Sequence, residues 1–139
     1  MKATFRKSGL WLLFACVAVS AEADLVVQVH NPQITGSKAV VKLELKNTYH
    51  ENIESARASA FLVDQDGKLV GQATRWVIGG GKGMPALVPG GTNTFSFVVG
   101  ISDSVNREGL TAKLMFSRVV LEGGKLADVR QGVRIRAEK

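Results

Sequence analysis

The chain has 139 residues, of which 45% are hydrophobic and 22% are charged, and its formal net charge is +6. This length suits one ordinary domain, and the composition is too apolar and too lightly charged for a disordered chain. The one cysteine excludes an intramolecular disulfide and any multi-cysteine zinc or iron–sulfur site. Aromatic residues make up only 6% of the chain, so a broad base-stacking platform is not expected.

The first 23 residues have the three parts of a secretory signal peptide. The beginning is basic, an apolar run follows over 10–19, and Ala21-Glu22-Ala23 places small residues at the cleavage positions. The apolar run is about half as long as a transmembrane helix, so no membrane span is expected after cleavage. We therefore predict a signal peptide at 1–23 and a single folded domain at 24–139.

Cys16 leaves a second processing route open. Leu13-Phe14-Ala15-Cys16 resembles a bacterial lipobox, in which the cysteine is lipidated, although Phe14 stands where a small residue is usual. Cleavage after Ala23 is the favoured route, and it would leave a mature chain of 116 residues without cysteine. This cleavage removes three bases and one acid, which changes the net charge from +6 to +4. The protein is thus expected to be exported, either periplasmic or secreted, with a lipoprotein anchored through Cys16 as the alternative.

After residue 23 the hydrophobic pattern has a period of two. The predicted strands cover 25–30, 40–46, 55–63, 68–78, 92–99, 112–121 and 126–136, with turn-forming residues between them. In the third strand Ala56, Ala58, Ala60 and Leu62 share one face, which indicates close approach to an opposing sheet or to bulky neighbours. One short helical turn is expected over 102–109. Seven short strands predict an all-β, antiparallel immunoglobulin-like β-sandwich.

Three stretches of the chain carry a resemblance to a known family: Val41–Thr48, Ala60–Val70 and Leu87–Phe95. They resemble the bacterial FxLYD-type immunoglobulin-like domains, which have a strand ending in Lys-Asn, a Leu-Tyr-Asp turn and a Leu-x-Pro-Gly turn. Here Leu62-Val63-Asp64 replaces Leu-Tyr-Asp, so the tyrosine is absent. The resemblance covers about residues 38–99 and implies an exported or surface β-sandwich module, with no catalytic residue to transfer.

Two glycine-containing segments resemble ligand loops only in part. Gly79–Gly83 contains Lys82, but Gly83 follows where a phosphate-binding loop needs Ser or Thr, and no helix comes after it. Asp64–Gly67 lacks the acids that a calcium loop needs two residues before it and six after its glycine. The first is therefore predicted to be a loop that can contact partners, and the second a tight turn.

Metal binding and catalysis have little support in the sequence. His30, His50, Met84 and Met115 are the candidate metal ligands, but they are scattered and lack ligand spacing. The mature chain has no cysteine nucleophile, no G-x-S-x-G elbow and no H-E-x-x-H motif. We therefore expect no metal, no cofactor, no catalytic residue and no enzymatic activity.

The basic residues concentrate near the end of the chain, on a predicted last hairpin that turns at Gly123-Gly124. In its final strand Arg134 and Arg136 alternate with Val133 and Ile135, which predicts an outward basic stripe above an inner apolar set. Such a stripe either protects a sheet edge or contacts an anionic surface. Trp76 either fills the core or, if exposed beside the glycine loop, marks a binding patch. The candidate interaction surface therefore comprises Trp76, Lys82, Arg118, Arg130, Arg134 and Arg136.

These features favour an exported, non-enzymatic interaction module of the bacterial cell envelope. Its expected partner is an envelope protein or an anionic envelope surface, bound for example by strand addition at a sheet edge. The alternative is a periplasmic carrier of a small ligand or a metal, which would need a concave pocket with convergent polar groups. A purely structural role is a third possibility, and nucleic acid is not an expected partner.

Overall fold

The computed structural model describes residues 23–81 and 83–138. The predicted signal peptide, except its last residue, lies outside the described residues, and so do Cys16 and Lys82. Eight strands are joined by turns and by one short 3₁₀ turn at Glu122–Gly124. The strands are β1 (Leu25–Val29), β2 (Gln33–Thr35), β3 (Lys38–Asn47), β4 (Ile53–Val63), β5 (Leu69–Ile78), β6 (Thr92–Gly100), β7 (Thr111–Leu121) and β8 (Val133–Ala137).

The first sheet, sheet A, is built around β3. Strand β6 pairs along one edge of β3, while β1 and β2 pair with successive halves of the other edge, all antiparallel. Strand β8 joins the outer edge of β1 in parallel. The sandwich is therefore antiparallel except at this one pairing, which the sequence pattern did not predict.

The second sheet, sheet B, has the order β5-β4-β7 and is antiparallel throughout. Register shifts occur on both sides of β4. One lies next to Arg57 in each pairing, a further one lies near Val63 in the pairing with β5, and another lies between Ile53 and Ser55 in the pairing with β7. Such β-bulges bend a strand and change which side chains lie beside each other. The bulges place Arg57 opposite Trp76 on β5 and opposite Arg118 on β7.

The core lies between the two sheets and follows the predicted alternation. Ala56, Ala58, Ala60 and Leu62 of β4 have no exposed surface. The large buried side chains come mainly from sheet A, and include Phe97, Leu25, Leu43 and Leu45. Small side chains on one sheet thus face bulky side chains on the other, as an interior packed to native density requires. The predicted all-β immunoglobulin-like sandwich is confirmed.

The predicted last hairpin is wrong. After the 3₁₀ turn the chain pairs only briefly with β7, through a single bridge between Val120 and Leu126. It then crosses to sheet A, so β7 and β8 belong to different sheets. Ile135 shares the inner parity of β8, but β8 is an edge strand and Ile135 remains 41% exposed, so it does not belong to the core.

One smaller prediction is wrong, one strand was not predicted, and one predicted turn is confirmed. Residues 102–109 form turns and bends rather than helix, and the short strand β2 was not predicted. Asp64–Gly67 is the expected turn, because Asp64 Oδ1 accepts hydrogen bonds from the backbone N–H groups of Asp66 and Lys68, both at 2.9 Å. Among the described residues no helix is long and apolar enough to cross a membrane.

Asn47, at the end of β3, ties the loops at this end of the sandwich together. It is fully buried, and its Nδ2 donates to the carbonyl oxygens of Glu51 at 3.0 Å and Leu87 at 2.9 Å. Its Oδ1 accepts the backbone N–H of Tyr49 at 2.8 Å. A buried amide with three hydrogen bonds replaces the water that these loop groups would otherwise need.

Candidate functional site

The candidate site lies on the outer face of sheet B, where three side chains form one row across the strands. Arg57 is the central member, with Trp76 beside it on β5 and Arg118 beside it on β7. Both arginines are exposed, whereas Trp76 is half-buried. Trp76 and Arg118 belong to the predicted interaction surface, while Arg57 joins it only through the register of the sheet.

Arg57 and Trp76 contact each other within the row. The Arg57 guanidinium lies over the Trp76 ring, with Cζ 5.7 Å from the ring centroid, which is within cation–π range. The two arginines, Trp76 and Ser117 line a shallow depression of about 330 Å³. Such a concavity offers one aromatic wall and two guanidinium groups, which is the donor set that binds a carboxylate or another planar anion.

Gly80 fixes the position of the indole. Its φ is +82°, and a Cβ built on it would collide with the Trp76 side chain. The glycine loop therefore has its backbone packed directly onto the ring, which leaves the other parts of the ring to Arg57 and to solvent. The expectation of a non-regular loop at 79–83 is confirmed, and within its described residues the loop supports Trp76 rather than forming a separate site.

The charges of sheet B are unbalanced. Its three strands carry four bases, Arg57, Arg75, Lys113 and Arg118, and one acid, Glu54. The Glu54 carboxylate accepts the backbone N–H of Gly123 at 3.1 Å. Within residues 23–81 and 83–138, neither Arg57 nor Arg118 forms an ion pair. Two like charges directly opposite each other lower the stability of a sheet, so the row is a place where an anion would be favourable.

The same face becomes more apolar away from the arginine row. Ser59 pairs with Thr74 and with Met115, which is 61% exposed, and the Ser59 and Thr74 hydroxyls are 2.7 Å apart. Phe61 follows in the next row, beside Lys113. An aromatic, a thioether and a cation therefore continue the site along β4 and β7. This combination suits a protein surface better than a small polar molecule.

Of the other predicted interaction residues, those that the structure describes do not join this face. Arg134 and Arg136 lie on β8 and share the outer face of sheet A with Val26 and Gln28. Arg134 forms an ion pair with the buried Asp24 at 3.3 Å. The remaining two are Arg130, which lies in the turn before β8, and Lys82, which lies outside the described residues. The described members of the predicted surface are therefore divided between two faces, because β7 and β8 are in opposite sheets.

The candidate metal ligands are dispersed over different elements. His30 follows β1, and its ring nitrogens contact Glu44 at 2.6 Å and Glu138 at 3.1 Å. These hydrogen bonds to the two carboxylates raise the pKa of His30. The pKa of Glu138 is lowered, first by the hydrogen bond from the Asn31 backbone N–H and then by His30. This cluster ties the end of the chain to β1 and β3.

The remaining candidates are His50 and Met84, in separate loops, and Met115, which is exposed on β7. In the part of the chain that the structure describes, no group of three His, Cys, Asp or Glu side chains is arranged to hold a metal ion. Two depressions, of about 610 and 570 Å³, lie at the Tyr49–Gly132 region and on the outer face of sheet A, respectively.

Sequence reasoning missed Arg57 and Lys113 as members of the site. Arg57 alternates with the buried alanines of β4, so its outward direction could be inferred, but its neighbours depend on two bulges. The sequence signal that could have identified this face was the near absence of acidic residues in the segments 53–63, 69–78 and 111–121.

The fold is similar to those of two solved bacterial proteins. A Bordetella pertussis protein assigned as ApaA is 17% identical, with a TM-score of 0.52 over 76% of this chain and 85% of that chain. IrmA from Escherichia coli is 11% identical, with a TM-score of 0.52 over 85% of this chain and 93% of that chain. At these identities the likeness concerns the fold alone. No family model matches the chain, and no curated protein matches it in sequence.

Proposed function

We propose that this protein is an exported, non-enzymatic interaction module of the bacterial cell envelope, and that it binds a protein partner through the outer face of sheet B. The observation that carries the proposal is the row of Arg57, Trp76 and Arg118. It combines two cations without an ion-pair partner among the described residues with an aromatic ring. Aromatic and arginine side chains are the types that dominate binding energy at protein interfaces.

The partner in this proposal presents carboxylates. An acidic surface would relieve the repulsion between Arg57 and Arg118, and the guanidinium groups would form charge-assisted hydrogen bonds with it. Met115 and Phe61 would supply apolar contact area beside these hydrogen bonds. The proposal of export is supported by the sequence of residues 1–23. The proposed kinship with FxLYD-type domains is supported by the turns at Asp64–Gly67 and 87–90.

The experiment is site-specific photo-cross-linking in cells of the source organism. A benzophenone amino acid replaces Thr74, which lies in the middle of the proposed face, or Gln28, which lies on the outer face of sheet A. The proposal expects a cross-linked protein from position 74 and none from position 28. That cross-link should disappear when Arg57→Glu and Arg118→Glu are combined.

A matched control keeps the charge change and moves it to the other sheet. Lys42→Glu combined with Lys46→Glu alters the net charge equally, on the outer face of sheet A. The cross-link from position 74 should survive in this control. Cross-linking only from position 28, or a cross-link from position 74 that the Arg57 and Arg118 changes leave intact, would overturn the proposal. The intact mass of the mature protein separates cleavage after Ala23 from lipidation of Cys16.

A further inference from the structure

Strand β7 has a free edge next to the proposed binding face. Its other edge pairs with β4 along its whole length, and β7 is the last strand of sheet B. Among the described residues no backbone hydrogen bond from Thr111–Arg118 is directed away from β4. At ~3.3 Å per residue this open edge is about 25 Å long, enough for an added strand of ordinary length.

The C-terminal end of the same edge, at Val119–Leu121, already pairs with a later segment of this chain. The Ala127 N–H donates to the Val119 carbonyl at 2.9 Å, and the Leu121 N–H donates to the Lys125 carbonyl at 2.7 Å. Val120 and Leu126 form an antiparallel bridge. The edge of β7 is therefore shaped for pairing, and this internal segment stops before the open part begins.

The edges of β5 and β8 are less suited to an added strand, and β6, an edge strand of sheet A, carries no base that would attract an acidic segment. Strand β5 is interrupted by two register shifts, and a methyl group built on Gly71 would lie 2.9 Å from Val99 Cγ1, so β6 closes against β5 there. Strand β8 has only five residues. Short and bulged edges are common ways of preventing strand addition. The pairing of β7 with β4 also has two register shifts, but both lie toward its Leu121 end, so the edge is regular from Thr111 to Phe116.

The side chains of β7 specify what an added strand should carry. Ala112 and Leu114 face inward at the margin of the core and are only half-buried, so they can take further apolar cover. Lys113 and Arg118 face outward and are exposed. Because side chains of a strand alternate between faces, one strand can present apolar groups inward and carboxylates outward.

We infer that the occupant of this edge is an extended acidic segment of the partner protein, which pairs with β7 at Thr111–Arg118 and alternates apolar with acidic residues. This inference rests on the proposed function and adds how the partner is bound. The carboxylates lie beside Lys113 and Arg118, and the apolar side chains cover Ala112 and Leu114. A second copy of this chain is disfavoured as the occupant, because it would bring Lys113 and Arg118 of one copy toward those of the other.

A defined peptide tests the inference without knowledge of the natural partner. The probe is an acetylated eight-residue peptide that alternates glutamate with valine, titrated into the ¹⁵N-labelled mature protein in dilute salt. The shuffled control has the same composition, with the glutamates first and the valines last. We expect the alternating peptide to bind at least tenfold more tightly, with amide shifts and slowed hydrogen exchange concentrated in Thr111–Arg118.

Backbone methylation separates strand pairing from simple charge attraction. Two further peptides are N-methylated at every glutamate or at every valine, so that each has lost the N–H groups on one edge. Strand addition requires that one of them loses binding and the other retains it. Lys113→Glu should weaken binding of the alternating peptide about fivefold, which is the range of a surface ion pair. Lys42→Glu, on the outer face of sheet A, should leave it unchanged.

Four results of the peptide experiments would overturn the inference. They are no binding of the alternating peptide at millimolar concentration, equal binding of the shuffled peptide, binding of both methylated peptides, and shifts concentrated in β5 or β8. Concentration-dependent protection of β7 without peptide would also overturn it, since the occupant would then be a second copy. In each of these cases a cross-link from position 74 that depends on Arg57 and Arg118 would still support the proposed function.

Discussion

Removal of the charge on Arg118 should stabilise the isolated protein. Arg118 lies directly opposite Arg57 in the register of β4 and β7, and neither arginine has an ion-pair partner in residues 23–81 or 83–138. Like charges in directly opposite positions of a sheet repel each other. If the pair is retained for an anionic partner, the unbound protein carries this repulsion as a stability cost. The change to test is Arg118→Gln, which removes the charge and keeps a polar, unbranched side chain.

The expected gain is small but measurable. Two unit charges ~7 Å apart repel by about 0.6 kcal/mol in the dielectric of water. At 0.15 M salt the screening length is about 8 Å, so less than half of this repulsion remains. At low ionic strength a gain of about 0.5 kcal/mol corresponds to an increase in Tm of roughly 2 °C for a domain of this size. The gain should shrink as salt is added.

Thermal unfolding followed by circular dichroism at low and high salt measures this gain. Arg118→Lys keeps the charge and should leave the Tm near that of the wild type. Lys113→Gln removes a base from the same strand and face, but Lys113 lies opposite Phe61 rather than another base, so its gain should be smaller. The reasoning is refuted if Arg118→Gln is no more stable than the wild type at low salt, or if its gain does not depend on salt.

The remaining predictions concern the scaffold. Asn47→Ala should lower the free energy of unfolding, measured in urea, by about 2–4 kcal/mol, because buried loop groups lose their hydrogen bonds. The control Asn93→Ala, at an exposed position, should have little effect. Equal losses in the two variants would contradict this prediction. Gly80→Ala should destabilise the fold by roughly 1–3 kcal/mol through its positive φ and shift the tryptophan emission, unlike Gly81→Ala. His30→Gln should lower the stability of the fold mainly below pH 6.5. Because the folded-state pKa of His30 is raised, its protonated ring stabilises the fold at that pH, and this stabilisation is lost as the pH rises through the folded-state pKa. A loss of stability that does not vary with pH would contradict this prediction.

The contribution of Glu138 to stability depends on pH in the opposite direction to that of His30. The pKa of Glu138 is lowered from 4.5, so its contribution is present above that value and is lost as the pH falls through the folded-state pKa. The contact between His30 and Glu138 is therefore strongest from about pH 4.5 to somewhat above 6.5. The chain end at Glu138 is held to Asn31 and His30 most firmly in this range.

The strands could be predicted because burial on one face imposes a period of two. The clearest case is β4, where Ala56, Ala58 and Ala60 alternate with Arg57 and Ser59, and the structure buries all three alanines completely. Turn chemistry also carries over, since Asp64 organises its turn with its own carboxylate. Local patterns of this kind depend only on neighbouring residues, so a single sequence contains them.

The pairing of strands could not be predicted in the same way. A period of two says which face a side chain occupies, but not which strand lies beside it. Gly123-Gly124 is a good turn signal, yet the pairing that follows it ends near Leu126, and β8 then pairs in parallel with β1. The sequence pattern therefore placed Arg118 beside Arg134 and Arg136, although the core lies between them. Arg57 was missed for the same reason, because only the bulges of sheet B bring it opposite Arg118.

The two outer faces differ in how their bases are arranged, and this difference favours sheet B as the face that binds a partner. On sheet A, Arg134 pairs with Asp24, and Glu44 lies between Lys42 and Lys46 on the same face of β3 while contacting His30. Arg134 therefore gains less from an external anion, and in the registers of sheet A no two bases lie directly opposite each other. On sheet B the two arginines of the row lie directly opposite each other, and neither has an ion-pair partner among the described residues. A basic net charge alone is compatible with either face, but the binding free energy available to an acidic partner is larger where the cations are not already neutralised.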